Sequence, residues 1–311
     1  MFEIRQTPTK GLGAFATQNI STGTVILREK PVLKLPNLLW TSDDTPIPCS
    51  MLMSAFDALD EGQRSQVKEL YARIPPVCIP GVVRMVDLVM SLRQHPTGTS
   101  RVDYVELMFI MSTNEWKNLR PDLDFSALYL QLSRFNHSCV ANAVSDEVSS
   151  ADASQLRSVR ARRDIQAGEE ITVEYMRPWA ENRAAYLRGN WGFDCQCPLD
   201  VTGADSTMDQ ATRLQYENMF QQIRDNDEEA FQGTDSTPDQ ILTRHQRRVE
   251  ALEFLGPSND LLNEYAQGAK LYMEAGDKAK LDETLRALYR VTTVLNDEND
   301  PYRLALKSRF S

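Results

Sequence analysis

The stretch Arg134-Phe135-Asn136-His137-Ser138-Cys139, with Asn142 close behind, crowds an amide, an imidazole, a hydroxyl and a thiol beside an apolar segment. Alone, His137 reads as a core or surface histidine making one hydrogen bond. It does not stand alone. Upstream lies Lys10-Gly11-Leu12-Gly13-Ala14-Phe15-Ala16, whose glycines let main chain adopt φ > 0 and approach a ligand closely, a hairpin turn being the plain alternative. Downstream come Gly168-Glu169-Glu170-Ile171-Thr172-Val173-Glu174-Tyr175 and then Gly192-Phe193-Asp194-Cys195-Gln196-Cys197-Pro198. On residue type alone Tyr175 is a strand-end aromatic with its hydroxyl in water. Cys195 and Cys197 are too close for an ordinary structural disulfide, and five cysteines is an odd number, so the thiols read as free for metal or for packing in a reducing compartment.

The elements that must position these residues follow from the apolar pattern. Short strands with Gly turns are predicted over Phe2–Thr7 and Ala14–Thr17, with an apolar run from Val25 to Leu35; residues 36 to 50 read as a loop from their prolines. Helical spacing runs from about Met51 to Leu119, a second strand-rich block from Val140 to Tyr175, and helices again beyond Pro178. Leu262, Tyr265, Ala266, Ala269, Tyr272 and Met273 fall on one helical face. Ala275-Gly276-Asp277 ends that helix, and Leu281, Leu285, Leu288 and Val291 begin a second stripe, which suggests a helical-repeat hairpin.

The chain has 311 residues, 44 Asp and Glu against 34 Lys and Arg, and a net charge of −10. That balance disfavours a general electrostatic grip on nucleic acid. Residues 201 to 311 hold 20 acidic against 13 basic side chains, so most of the negative charge sits in the C-terminal third. No uninterrupted apolar window approaches a membrane span, and the start lacks the pattern of a secretory leader. The expectation is an intracellular protein, in the cytoplasm, the nucleus or both, with no membrane partner.

The four motifs in this order resemble the SET-domain protein lysine methyltransferases. The split by a helical segment and the helical C-terminal region are similar to the SET-and-MYND branch and its fungal relatives. The resemblance implies an α+β fold: a SET β-fold of short strands divided between residues 1–35 and 120–178, a helical insertion over 36–119, a post-SET segment over 179–204, and an all-α, TPR-like region over 205–311. It implies S-adenosyl-L-methionine as cofactor, contacted by Lys10, Gly11, Leu12, Asn114, Ser133, Asn136 and His137, with Phe193 stacking on adenine; a core Phe193 and a helix-ending Asn114 are the alternatives. It makes Tyr175 the catalytic tyrosine, beside the transferring methyl, and places Tyr129 near the substrate channel.

The family binds zinc through the Cys after Asn-His-Ser and a C-x-C-x-x-C run. Cys139, Cys195 and Cys197 match, but Asp200 holds the last position, leaving three outcomes: zinc on three thiolates and a carboxylate, a weak site, or packed thiols without metal. Ala141 replaces the usual Pro before Asn142. The MYND finger is missing, since Cys49 and Cys78 are the only cysteines between Pro36 and Pro80.

The function implied is methyl transfer to a lysine of a protein or peptide, a histone tail among the options, given the acidic C-terminal region. The alternative is a SET scaffold without that activity, serving as a binding module or redirected to a small biosynthetic substrate.

Overall fold

The computed structural model describes residues 1–36, 47–93, 98–118, 125–147, 156–200, 208–232, 237–296 and 298–310. They divide into two compact units, one of Met1–Arg28, Phe135–Tyr186 and Asp194–Ser311, the other of Glu29–Arg134 and Leu187–Phe193.

In the first unit β1 (Phe2–Gln6) and β2 (Leu12–Ala16) form an antiparallel hairpin, with Phe2 opposite Ala16 and Gln6 opposite Leu12. Its loop closes where Thr7 N donates to Gly11 O at 2.7 Å, and Gly11 takes φ 71°, the left-handed conformation that glycine adopts without penalty. The far edge of β2 pairs with β9 (Glu170–Ile171), Phe15 facing Glu170. A second sheet has the order β3 (Val25–Glu29), β8 (Arg157–Ala161), β7 (Ala143–Glu147).

Asn142 staples the turn before β7 to the segment after β9. Its amide nitrogen donates to Glu170 O at 2.8 Å and to the Glu169 carboxylate at 2.9 Å, and its oxygen accepts Thr172 N at 2.9 Å. All three bonds are internal, as a buried amide requires. One residue further, Val173 N donates to Asn136 O and Ser138 N to Val173 O, so His137 meets Val173 as a parallel bridge.

Tyr175 therefore does not close a strand as expected. β9 ends at Ile171, because Thr172 is taken by the Asn142 side chain and Val173 by a single bridge, and Tyr175 lies in a bend.

The C-terminal helices complete this unit: α6 (Gln210–Gln232), α7 (Pro238–Leu255), α8 (Asn259–Glu274), α9 (Lys278–Leu295) and α10 (Pro301–Phe310). Capping fixes their starts, Thr237 with Gln240 for α7, Ser258 for α8 and Asp277 for α9. Gly276, at φ 72°, turns α8 into α9. Leu252, Leu261, Tyr265, Leu288, Val291 and Leu295 share one core with Cys139, Trp179, Cys197 and Leu199. The buried face of α8 is Leu261, Glu264, Tyr265, Gly268 and Tyr272, and Met273 is 63% exposed, so the predicted apolar stripe is turned by about one residue. Glu264 tolerates burial because His245 and Arg248 both reach its carboxylate at 2.8 Å.

The second unit contains α1 (Ile47–Asp57), α2 (Glu61–Lys68), α3 (Ile79–Leu92) and α4 (Arg101–Asn114), and the sheet β4 (Leu33–Pro36), β6 (Phe125–Leu128), β5 (Trp116–Asn118). Leu52, Phe56, Val86, Val89, Leu107, Ile110 and Met111 form its core. The apolar run from Val25 splits at Lys30-Pro31, where proline interrupts the ladder, and yields β3 and β4 instead of one strand. Helix also begins earlier than expected, at Ile47, since a proline at the second helical position costs no hydrogen bond. It ends earlier too: Glu115 is extended and Trp116–Asn118 pairs with β6. Leu119, residues 37–46 and the loop over 201–207 lie outside the described residues. The short α5 (Arg183–Trp191) begins in the first unit and ends in the second.

Candidate functional site

In the first unit the hairpin loop and the Asn136 segment meet through a carboxylate. Glu170 accepts Lys10 Nζ at 3.2 Å on one oxygen and Asn136 Nδ2 at 2.8 Å on the other, while Asn136 Nδ2 also donates to Leu12 O at 3.1 Å. Both amide hydrogens of Asn136 are thus spoken for, which fixes the amide with Oδ1 as the acceptor it offers a ligand. Lys10 N caps the loop by donating to Thr7 Oγ1 at 2.8 Å.

The two glycines work differently from each other. Gly11 supplies a positive φ with open space around it. At Gly13 a Cβ would lie 2.8 Å from Asn136 Nδ2 and 2.9 Å from Glu170 Oε1, so its smallness admits these side chains rather than a ligand, and its φ is not positive.

Tyr175 donates its phenol proton to Phe135 O at 2.9 Å. Burial, with a further contribution from the charge of Glu170, holds that phenol well above the ordinary tyrosine range. It is a neutral hydroxyl at physiological pH, its proton directed at the protein. Tyr175 N donates to His137 Nδ1 at 3.1 Å, which places the ring proton on Nε2, facing Cys139 Sγ at 3.3 Å. Burial lowers the His137 pKa from 6.5 to about 4. Both ring nitrogens have protein partners.

Cys139, Cys195, Cys197 and Asp200 gather their ligand atoms within 4.8 Å of one another. Cys139 Sγ lies 3.7 Å from Cys195 Sγ and 3.6 Å from Asp200 Oδ2, and Cys197 Sγ lies 3.2 Å from the same oxygen. A tetrahedral zinc with Zn–S near 2.3 Å and Zn–O near 2.0 Å sets its ligand atoms roughly 3.5–3.8 Å apart. The donor set fits the ion. Hydrogen bonds from Cys139 and Cys195 draw the Cys197 thiol far below its usual range, those to Cys195 and Cys197 drive Cys139 up, and burial raises Asp200. These four groups would hold a divalent cation as three thiolates and a carboxylate, and such an ion would stabilise each of them as an anion. Asp200 Oδ1 is held at 2.6 Å by Arg183.

The remaining predicted residues lie in the second unit. Asn114 is the last residue of α4 and its amide nitrogen donates to Ile110 O and Tyr71 O, the helix-ending role. Ser133 gives its hydroxyl to Tyr129 O at 2.6 Å, and the Tyr129 side chain is 1% exposed. Phe193 is half-buried just past Gly192, which ends α5 at φ 78°. Glu170 and Arg183 had no role from sequence, although Glu170 lay inside a quoted motif; their partners are 160 and 17 residues away.

These strands and motifs define a SET fold, and the family model described as SET domain matches residues 11–176. The chain belongs to the SET-domain family. It is 32% identical over 171 residues to the Scheffersomyces stipitis protein named histone-lysine N-methyltransferase SET5, covering 51% of this chain and 33% of that one. It is 39% identical over 85 residues to the Gallus gallus protein named protein-lysine N-trimethyltransferase SMYD5, covering 26% and 20%. The chain thus spans a third or less of the length of these relatives. A solved structure titled as the SET domain of LSMT bound to lysine and AdoHcy aligns over 99% of this chain and 85% of its own, at 14% identity and a TM-score of 0.41. Among the described residues no helix is long and apolar enough to cross a membrane.

Proposed function

We propose that the chain is an S-adenosyl-L-methionine-dependent protein-lysine N-methyltransferase. The observation that carries this reading is the Tyr175 hydroxyl, neutral, half-buried, and anchored by its own proton on Phe135 O. A phenol held that way is no general base. It is a fixed acceptor for the N–H of an incoming amine and for a polarised methyl C–H. The relatives' names, SET5 and SMYD5 lysine methyltransferases, point the same way.

When bound, the cofactor supplies an electrophilic methyl group on a sulfonium sulfur. Asn136 Oδ1 and the Lys10–Leu12 loop would hold its amino-acid end, the amide oriented by Glu170 and Leu12 O. His137 contributes main chain and keeps Tyr175 in place through Nδ1. Asn114, Ser133, Phe193 and Tyr129 belong to this reading as further cofactor and channel residues. Because Tyr175 accepts no proton, the substrate ammonium must shed its own to solvent before attack.

One zinc on Cys139, Cys195, Cys197 and Asp200 would tie the segment after residue 179 to the Asn136–Cys139 turn. The substrate is a lysine-bearing protein or peptide, and the acidic C-terminal third favours a basic one such as a histone tail, in the cytoplasm or the nucleus. Titration calorimetry of the purified chain with S-adenosylmethionine tests the reading: saturable 1:1 binding is expected, and a chain that binds neither the cofactor nor its demethylated product overturns it.

A further inference from the structure

Asp200 stands in the metal cluster as a carboxylate among thiolates, and carboxylates are versatile: they bind one metal with one oxygen or two, or turn out to solvent. The Asp200 side chain is 26% exposed, so turning outward is open to it. What limits it is Arg183. Nη2 of Arg183 donates to Asp200 Oδ1 at 2.6 Å, and Nη1 donates to Pro178 O at 2.6 Å, so the guanidinium is itself held from the other side. Asp200 N donates to Cys197 O at 3.0 Å, which sets the turn. Only Oδ2 then faces the sulfurs, at 3.2 and 3.6 Å.

We propose that Arg183 is the positioning residue that makes Asp200 a one-oxygen ligand, and so lets a mixed set of three thiolates and one carboxylate replace four thiolates. The inference rests on the zinc reading of the cluster. Arg183 does one thing that a fourth thiolate would not need: it removes the second carboxylate oxygen from competition.

The test is zinc affinity by competition with a chromophoric chelator on the full chain, for wild type, Arg183→Gln, Arg183→Lys, Asp200→Cys and Arg183→Gln/Asp200→Cys. Wild type should hold one zinc. Arg183→Gln should weaken it about 10- to 100-fold, the range for loss of a residue that orients a ligand, with Arg183→Lys between the two. In the Asp200→Cys background the same Arg183→Gln change should alter affinity by less than about threefold, because no carboxylate remains to be oriented. Cobalt substitution supplies a second readout: intense tetrahedral d–d bands in wild type and weaker ones in Arg183→Gln, as the carboxylate takes a second bond or leaves.

A wild type that holds no zinc at any accessible concentration overturns the metal reading itself. A wild type that holds zinc with the same affinity as Arg183→Gln, or an equal loss in the Asp200→Cys background, overturns the role of Arg183 and leaves the metal reading intact. Should Arg183→Gln not fold, the double variant and Arg183→Lys decide: misfolding in both backgrounds, or no weakening by lysine, assigns Arg183 to the scaffold.

Discussion

One imidazole connects Tyr175 to Cys139: His137 accepts the Tyr175 N–H on Nδ1 at 3.1 Å and faces the Cys139 sulfur from Nε2 at 3.3 Å. The backbone that presents the phenol and the thiol that begins the metal cluster therefore share a single rigid contact. Disturbing either end should be felt at the other.

Replacing His137 with glutamine tests this connection through acid sensitivity. Its folded pKa lies near 4 and its unfolded value near 6.5, so the unfolded chain binds the extra proton first as pH falls. Stability is unaffected above about pH 6.5, and up to about 3 kcal/mol is lost between there and pH 4. His137→Gln should flatten the dependence of the urea midpoint on pH across that window. An unchanged slope contradicts the assignment.

Glu170 is expected to matter to the cofactor without touching the reacting atoms. Glu170→Gln keeps the shape but ends the Lys10 ion pair and offers Asn136 an amide that can turn round. Losing a well-made bond to a charged group costs about 1.5–3 kcal/mol, or roughly 10- to 100-fold in the affinity for S-adenosylmethionine. Calorimetry reads this directly, and an affinity within twofold of wild type would remove Glu170 from the site.

Gly11 in the hairpin loop and Gly13 in β2 should separate cleanly. Gly11→Ala meets open space but a strained φ, so it should cost about 1–2 kcal/mol of stability. Gly13→Ala pushes into Asn136, Thr7 and Glu170, and should weaken cofactor binding at least tenfold as well. Thermal melts paired with calorimetry on both variants check the contrast.

Metal removal should loosen the C-terminal helices. Cys139, Cys197 and Leu199 sit in one core with Leu252, Leu261 and Leu288, so freeing the thiols unpins that cluster. A strong chelator should lower the thermal midpoint and speed amide exchange in α7 and α9, with zinc restoring both. Exchange that changes only near residues 195–200 would argue that the helices stand on their own packing.

How much of this was legible in the residues depends on range. Asn136-His137, the Gly11 turn and the paired cysteines are contiguous strings, so their chemistry shows in the sequence. The strand-rich and helical blocks, the C-terminal helices among them, were legible as well, because apolar periodicity is a local signal. Glu170 and Arg183 were not, since their meaning comes from partners brought close by folding. Tyr175 was misplaced on a strand because Ile171, Val173 and Tyr175 alternate correctly. Side chains and a single bridge, supplied by Asn142 and His137, occupy the hydrogen bonds a neighbouring strand would have made. The exposed Met273 shows the same limit on a helix: the choice of face was made by Gly268, which is small enough to admit the His245 ring.

The central claim stands or falls on methyl transfer. The direct measurement is incorporation of labelled methyl from S-adenosylmethionine into an array of lysine-bearing peptides and into the chain's own lysines, by wild type and by Tyr175→Phe. Labelled lysine is expected from wild type, with transfer slower by about 10²-fold or more in Tyr175→Phe and cofactor affinity nearly unchanged. Transfer at wild-type rate by Tyr175→Phe, or label on no lysine while the cofactor is bound, would contradict it.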